Sequence, residues 1–293
     1  MSMDRKILIT GSNGQLGREI SAQLSEEGLR LLRTDVSDSA DIKALDITDI
    51  DSVTSFVNAE KPSAIINCAA YTAVDRQEKD RDLSMKINAI GPRNLAIAAQ
   101  NAGIELIHIS TDYVFNGQGD VPYTEFDTPD PVSVYGKTKL AGENFVKQFS
   151  ERFYILRTAW LYGDGHNFVR TMLALSKDHD EVSVVDDQFG NPTSTKELAR
   201  AIRNLIFTGN YGLFHATCEG DTCWADFTEE IFRLAGKKTQ VKRISSREYA
   251  EAHPDSAPRP HNSRLDNYML RLTDHPAFSD WHDAIAVYLK EQL

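Results

Sequence analysis

The segment that most constrains this chain is GSNGQLG, residues 11–17. It follows KILIT (residues 6–10), an apolar run too short for a helix, and it opens an amphipathic run that Gly28 terminates. A strand that passes through closely spaced glycines into a helix is the start of a βαβ unit. The next strand must then lie parallel to the first, and the crossover must be right-handed. The rest of the first half fits that reading. Helical spacing over 15–27 leads to a strand over 29–35. A helix over 49–60, stopped by Lys61-Pro62, leads to a strand over 63–70. A long helical pattern over 83–101, interrupted at Gly91-Pro92, leads to a strand over 104–111. A helix carrying Tyr135 leads to a strand over 153–159. Strands alternating with helices predict a parallel sheet covered on both faces.

Beyond Trp160 the pattern is less regular. It predicts helices over 168–177, 196–207, 224–234 and 281–291, a strand over 182–187, and a proline-rich loop over 253–263. The predicted fold class is α/β: a Rossmann-type doubly wound parallel sheet over residues 1–160, with a smaller C-terminal α+β substrate lobe over 161–293. Some late segments are expected to pack back on the first domain.

Composition excludes several classes. The net charge of -11, without a Lys/Arg block, argues against nucleic acid as a partner. No stretch approaches the roughly 20 apolar residues of a membrane helix. The first ten residues lack the apolar run of a signal peptide. Cys68, Cys218 and Cys223 form neither a disulfide framework nor a zinc pattern. A cytoplasmic protein, monomeric or homodimeric, is expected.

The glycine loop suggests a dinucleotide. Gly11 would permit the tight turn, Gly14 the approach of a pyrophosphate, and Gly17 close packing of helix on strand. Asn13, Gln15 and Leu16 belong to the same loop. Its G-x-x-G-x-x-G spacing departs from the commoner form with glycines at the first, third and sixth positions. Asp35 ends the second strand, where a carboxylate accepts from ribose hydroxyls and repels a 2′-phosphate. Arg33 softens that preference, so NADH is favoured with NADPH tolerated. Asp46 and Ile47 would flank the adenine. Ala69, Ala70 and Tyr71, at the end of the third strand, would let the cofactor lie over the strand tips.

Tyr135 and Lys139 are neighbours at i and i+4 on one helix face. An ammonium beside a phenol would lower the tyrosine from its usual value of about 10. It would bring the phenol toward working pH as a general acid. Thr111 ends the 104–111 strand on the same sheet edge as the glycine loop, where its hydroxyl would hold a carbonyl oxygen beside Tyr135.

Seven segments spread over nearly the whole chain, GSNGQLG, NCAAYTAVD, STDYVFNG, VYGKTKLAGE, RTAWLYG, DQFGNPT and RPHNSRL, give a wider resemblance. Together the sequence resembles the extended short-chain dehydrogenase/reductase family, in a branch that reduces nucleotide-linked sugars. The resemblance implies hydride transfer from NADH or NADPH to C4 of a dTDP-linked 4-keto-6-deoxysugar. Tyr135 would donate the proton, Lys139 would support it and bind the cofactor, and Thr111 would position the ketone. Asn88 would support a proton relay. Asp112, Val114, Trp160, Asn167 and Gln188 would contact the sugar, and Arg259 the diphosphate. Some relatives hold magnesium between protomers through carboxylates. Glu19 matches one such position, but Lys196 stands where a second acid would be needed, so no metal is expected. A non-catalytic cofactor-binding regulatory subunit and a nucleotide-sugar epimerase or dehydratase are the alternatives.

Overall fold

A computed structural model describes residues 5–292. Its centre is a seven-stranded, all-parallel sheet. The strands are β1 (Lys6–Thr10), β2 (Arg30–Asp35), β3 (Lys43–Ala44), β4 (Ala64–Asn67), β5 (Glu105–Thr111), β6 (Phe153–Thr158) and β7 (Gly212–His215). Their order is β7-β6-β5-β4-β1-β2-β3. The order reverses between β1 and β4, and open α/β sheets bind ligands at such a switch point. Four helices follow strands of this sheet: α1 (Gln15–Glu26), α2 (Ile50–Glu60), α3 (Gly91–Ala102) and α4 (Val134–Phe149).

Alternation along each strand builds two cores. Ile7, Ile9, Ile66, Ile107 and Leu156 feed a cluster on one face. Leu8, Ile65, Leu106 and Ile155 feed a cluster on the other. Both faces are therefore covered, which explains why these strands read as nearly continuous apolar runs. Helix starts are set by side chains. Asp49 accepts from the Asp51 and Ser52 N–H groups at the head of α2, and Ser133 accepts from Gly136 N–H at the head of α4.

Several expectations need correction. The helix expected to break at Gly91-Pro92 does not break. A helical turn over Arg81–Met85 runs into a π-helical segment over Lys86–Ile90 and then into α3. Pro92 cannot donate to the turn behind it, and a wider turn there lets the axis continue. The strand expected over 63–70 ends at Asn67, whose side chain accepts from Thr10 Oγ1 and from Ala69 N–H and draws the backbone out of the ladder. The short strand β3 and the edge strand β7 escaped the sequence reading.

The later elements include α5 (Phe168–Leu175), α6 (Thr195–Leu205), α7 (Trp224–Leu234) and α8 (Trp281–Gln292). Helix α6 packs along α1, and Glu181–Val185 pairs in parallel with Gln240–Ile244, a strand the sequence reading missed. One buried cluster extends from Ile7 and Leu16 to Trp281 and Leu289.

Beneath α4 lies a buried ion pair. Arg157 on β6 donates from Nε and Nη2 to the two oxygens of Glu143 on α4, at 2.9 and 2.7 Å. Ser110 on β5 donates to Glu143 Oε1 at 2.6 Å. Both charged side chains are at most 1% exposed. Removing one partner strands the other charge in the core, at about 3–5 kcal/mol. Glu143→Ala is expected to lose stability of that order in denaturant unfolding followed by circular dichroism, and a change under about 1 kcal/mol would refute this account of the pair.

Candidate active site

The site lies along the carboxyl edge of the sheet. Gly11 takes φ 66°, a left-handed conformation, and a Cβ there would stand 2.6 Å from the Ala69 nitrogen. A Cβ on Gly17 would stand 2.3 Å from the Gly11 carbonyl oxygen. The loop is thus pressed against the end of β4 on one side and against α1 on the other. Gly14 caps α1 without a side chain, so no side chain competes for the first-turn N–H groups. Gly14, Gln15, Leu16 and Gly17 line a cavity of about 320 Å³. This arrangement fits a pyrophosphate.

A second cavity, of about 560 Å³, shares Gly14, Cys68 and Ala70 with the first. Its walls bring together Gly11, Asn13, Asp35, Asp46, Ile47, Ala69 and Tyr71, with Val36, Leu45 and Leu83 as apolar surface. Asp35 Oδ2 accepts from Asn13 N–H at 2.9 Å and Oδ1 from Val36 N–H at 2.8 Å. The carboxylate therefore sits fixed at the mouth of the glycine loop. Arg33 instead faces Asp41, at 3.5 Å. Together the two cavities give room for a dinucleotide, with Asp35 at one end.

At the other end, the smaller cavity is lined by Thr111, Asp112, Tyr135, Lys139 and Trp160. Ser133 starts α4 so that Tyr135 falls in its first turn, and Lys139 follows one turn later. The electrostatics differ from the sequence expectation. Lys139 does not draw Tyr135 downward. Its Nζ donates to the Ile109 carbonyl oxygen at 2.6 Å. Burial lowers Lys139 to about 8, while Glu143 and Cys68 pull the other way. Burial pushes Tyr135 up to about 12, the hydrogen bond with Thr111 pulls it back, and the Asp112 carboxylate adds to the rise. At neutral pH the phenol keeps its proton.

Asp112 is 2% exposed and burial raises it to about 6, with the Ser263 and Thr111 hydroxyls pulling down. Thr111 Oγ1 donates to Asp112 Oδ1 at 2.8 Å and accepts from Tyr113 N–H at 3.2 Å.

The remaining expected residues divide. Gln188 and Arg259 line a third cavity of about 350 Å³, with Phe168, Trp224 and Tyr249. The Arg259 guanidinium donates to Asp75 Oδ1 at 2.9 Å and to the Ala257 carbonyl at 3.2 Å. Val114 is fully buried in a small core with Phe115 and Leu265, and it lines none of these cavities. Asn167 is used for structure. Its Oδ1 accepts from Arg170 N–H to cap α5, and its Nδ2 donates to the Gly163 and Gly165 carbonyls and to Gln15 Oε1. The Asn88 amide is likewise committed. It accepts from Tyr71 N–H and donates to the Tyr71 carbonyl, Gln77 and Thr138, pinning the loop after β4 to α4. Trp224 escaped the sequence reading, because an aromatic at the first position of a helix has no distinguishing pattern.

Near Glu19, where the resemblance raised the question of a divalent cation, an ammonium stands among the carboxylates. Lys196 Nζ pairs with Glu291 at 2.6 Å, and the Glu19 and Glu197 carboxylates raise it further.

Residues 5–293 match the family described as the RmlD substrate binding domain. Over 294 aligned residues the chain is 37% identical to dTDP-4-dehydrorhamnose reductase of Escherichia coli (strain K12), covering 97% of each protein. The chain belongs to the dTDP-4-dehydrorhamnose reductase family. Among solved members, the Clostridium acetobutylicum enzyme superimposes with a TM-score of 0.93 at 52% identity, covering 98% of this chain and 99% of that one. The Bacillus anthracis enzyme, solved in complex with NADP, gives 0.92 at 41% identity with the same coverage. The likeness spans the whole reductase fold, including the late segments.

Two measurements test the site. If Asp35 is the group that disfavours a 2′-phosphate, Asp35→Asn should move the ratio of KM values toward NADPH by about tenfold, equivalent to about 1.4 kcal/mol. An unchanged ratio would remove Asp35 from cofactor choice. Asp112 is raised from 3.8 to about 6, so the folded state binds its proton more tightly than the unfolded state. Its contribution to stability therefore falls as pH rises from about 4 to about 6. Asp112→Asn should gain stability relative to the parent above pH 6 and lose that advantage near pH 4, in unfolding measured across that range.

Proposed function

We propose that this chain reduces dTDP-4-dehydro-β-L-rhamnose to dTDP-L-rhamnose with NADH or NADPH. One observation carries the reading: Thr111, Tyr135 and Lys139 line a single cavity with the open N-terminus of α1 at the carboxyl edge of the sheet. A carbonyl placed there meets a protonated phenol and a threonine hydroxyl beside the expected path of a dinucleotide. The family likeness supplies the sugar nucleotide.

The nicotinamide, when bound, supplies the hydride for C4. The chain supplies orientation and the proton. Tyr135 donates its phenolic proton to the C4 oxygen as negative charge develops there. Burial serves that direction of reaction, since it keeps the proton on the phenol until the alkoxide needs it. Lys139 would hold the nicotinamide ribose, its ammonium offering N–H donors to the ribose hydroxyls. The Thr111 hydroxyl stands beside Tyr135 and is placed to align the ketone with the phenol. Trp160 walls the sugar on one side. Gln188 and Arg259 in the third cavity face the nucleotide, where a guanidinium braced by Asp75 suits a diphosphate.

A regulatory subunit would bind cofactor without turnover. An epimerase or dehydratase would form product without net loss of NADH. Steady loss of reduced-cofactor absorbance on adding the dTDP-4-keto sugar is expected. Tyr135→Phe should cut kcat by about 10²–10⁴-fold while cofactor affinity stays within about twofold. A phenylalanine variant with the parent's rate would remove Tyr135 from the chemistry.

A further inference from the structure

We propose that Trp224 is a positioning residue for the sugar, acting through Trp160. This rests on the reductase reading above and adds to it a residue that no sequence motif marked.

Trp160 is held in an unusual way. Its φ of 46° is left-handed, which is rare for a large side chain and persists only where surrounding contacts enforce it. Three contacts do so. Trp224 lies flat against the indole, with ring centroids 3.5 Å apart and planes 7° from parallel. Gly190 lies at its edge: a Cβ there would stand 2.5 Å from Trp160 Cε2, so only glycine leaves room for the ring. The Trp160 carbonyl accepts from Thr193 N–H at 3.3 Å.

Trp224 is braced in turn by Phe168, at 4.3 Å between centroids. The two indoles have separate duties. Trp160 lines the cavity of Tyr135 and Thr111, whereas Trp224 lines the neighbouring cavity with Gln188 and Arg259. The stacked pair is therefore the partition between the two. A wall fixed before the substrate arrives spares the cost of ordering it on binding. It also sets how the sugar's C4 oxygen meets the phenol, and small misplacements there are expensive in rate. Without Trp224, one face of Trp160 loses its support and the ring is free to leave the cavity.

A double-mutant cycle tests this. In the parent, Trp224→Ala should lower kcat/KM for the dTDP-4-keto sugar by about tenfold or more, with cofactor KM within about twofold. In a Trp160→Ala background the same substitution should cost less than about twofold, because its target is already gone. If Trp224→Ala fails to bind NADH, Trp224→Leu takes its place in the cycle, since it keeps apolar bulk without a stacking face. Trp224→Phe should recover part of the lost rate. Losses that add across the cycle, or a Trp224→Ala variant with kcat/KM unchanged in the parent background, overturn the proposal. A parent protein that turns over no dTDP-4-keto sugar overturns the reductase reading first, and this one with it.

Discussion

The structure depends on the ion pair between Glu143 and Arg157, sealed between α4 and the centre of the sheet. Buried ion pairs are poor sources of net stability, since the lost hydration roughly cancels the attraction. What this one provides is register. The bidentate geometry, with Ser110 as a third partner, leaves α4 one height above β5 and β6. Tyr135 and Lys139 lie two turns and one turn before Glu143 on the same helix face. The pair therefore sets the position of both side chains relative to Thr111 at the end of β5. An apolar substitute could fill the volume and would not fix the height.

Burial, more than the neighbouring ammonium, governs the site's titration. A single i, i+4 charge, taken alone, predicts a tyrosine below its ordinary value. In the folded protein the desolvation of the phenol outweighs it, and the ammonium itself is depressed and directed at a backbone carbonyl. The cost of taking a charge out of water acts on every buried group at once, whereas a charge partner acts only through its own geometry. The result favours a proton donor over a proton acceptor, which matches the reducing direction.

The sequence made some of this legible and concealed the rest, for identifiable reasons. Strands buried on both faces announce themselves as short apolar runs, and Gly28 and Lys61-Pro62 punctuate helices, so β1, α1, β2 and α2 could be read closely. The helix Trp224–Leu234 was read to the residue. The strands Gly212–His215 and Gln240–Ile244 were invisible, because a short strand at a sheet edge or in a two-stranded pair carries little pattern of its own. The glycine loop, Asp35, Thr111, Tyr135 and Lys139 were legible because spacing alone places them on one sheet edge. Asn88 and Asn167 were not, since an amide's role depends on which backbone groups need partners, and that is decided by the fold. Trp160 was expected as a wall, but its support by Trp224 joins residues 64 positions apart, which no local pattern shows.

The return of Gly212–His215 to the first sheet bears on how the gene product can be divided. Its backbone satisfies one side of β6 from Tyr154 to Arg157. A fragment ending near Trp160 would contain every residue of the glycine loop and of the Tyr135 helix, yet it would expose that row of amides and carbonyls along a hydrophobic strand. Such an open edge invites pairing with another copy. An isolated nucleotide-binding half of this chain would tend to self-associate, so the early motifs are foldable only with the polypeptide that comes back to close them.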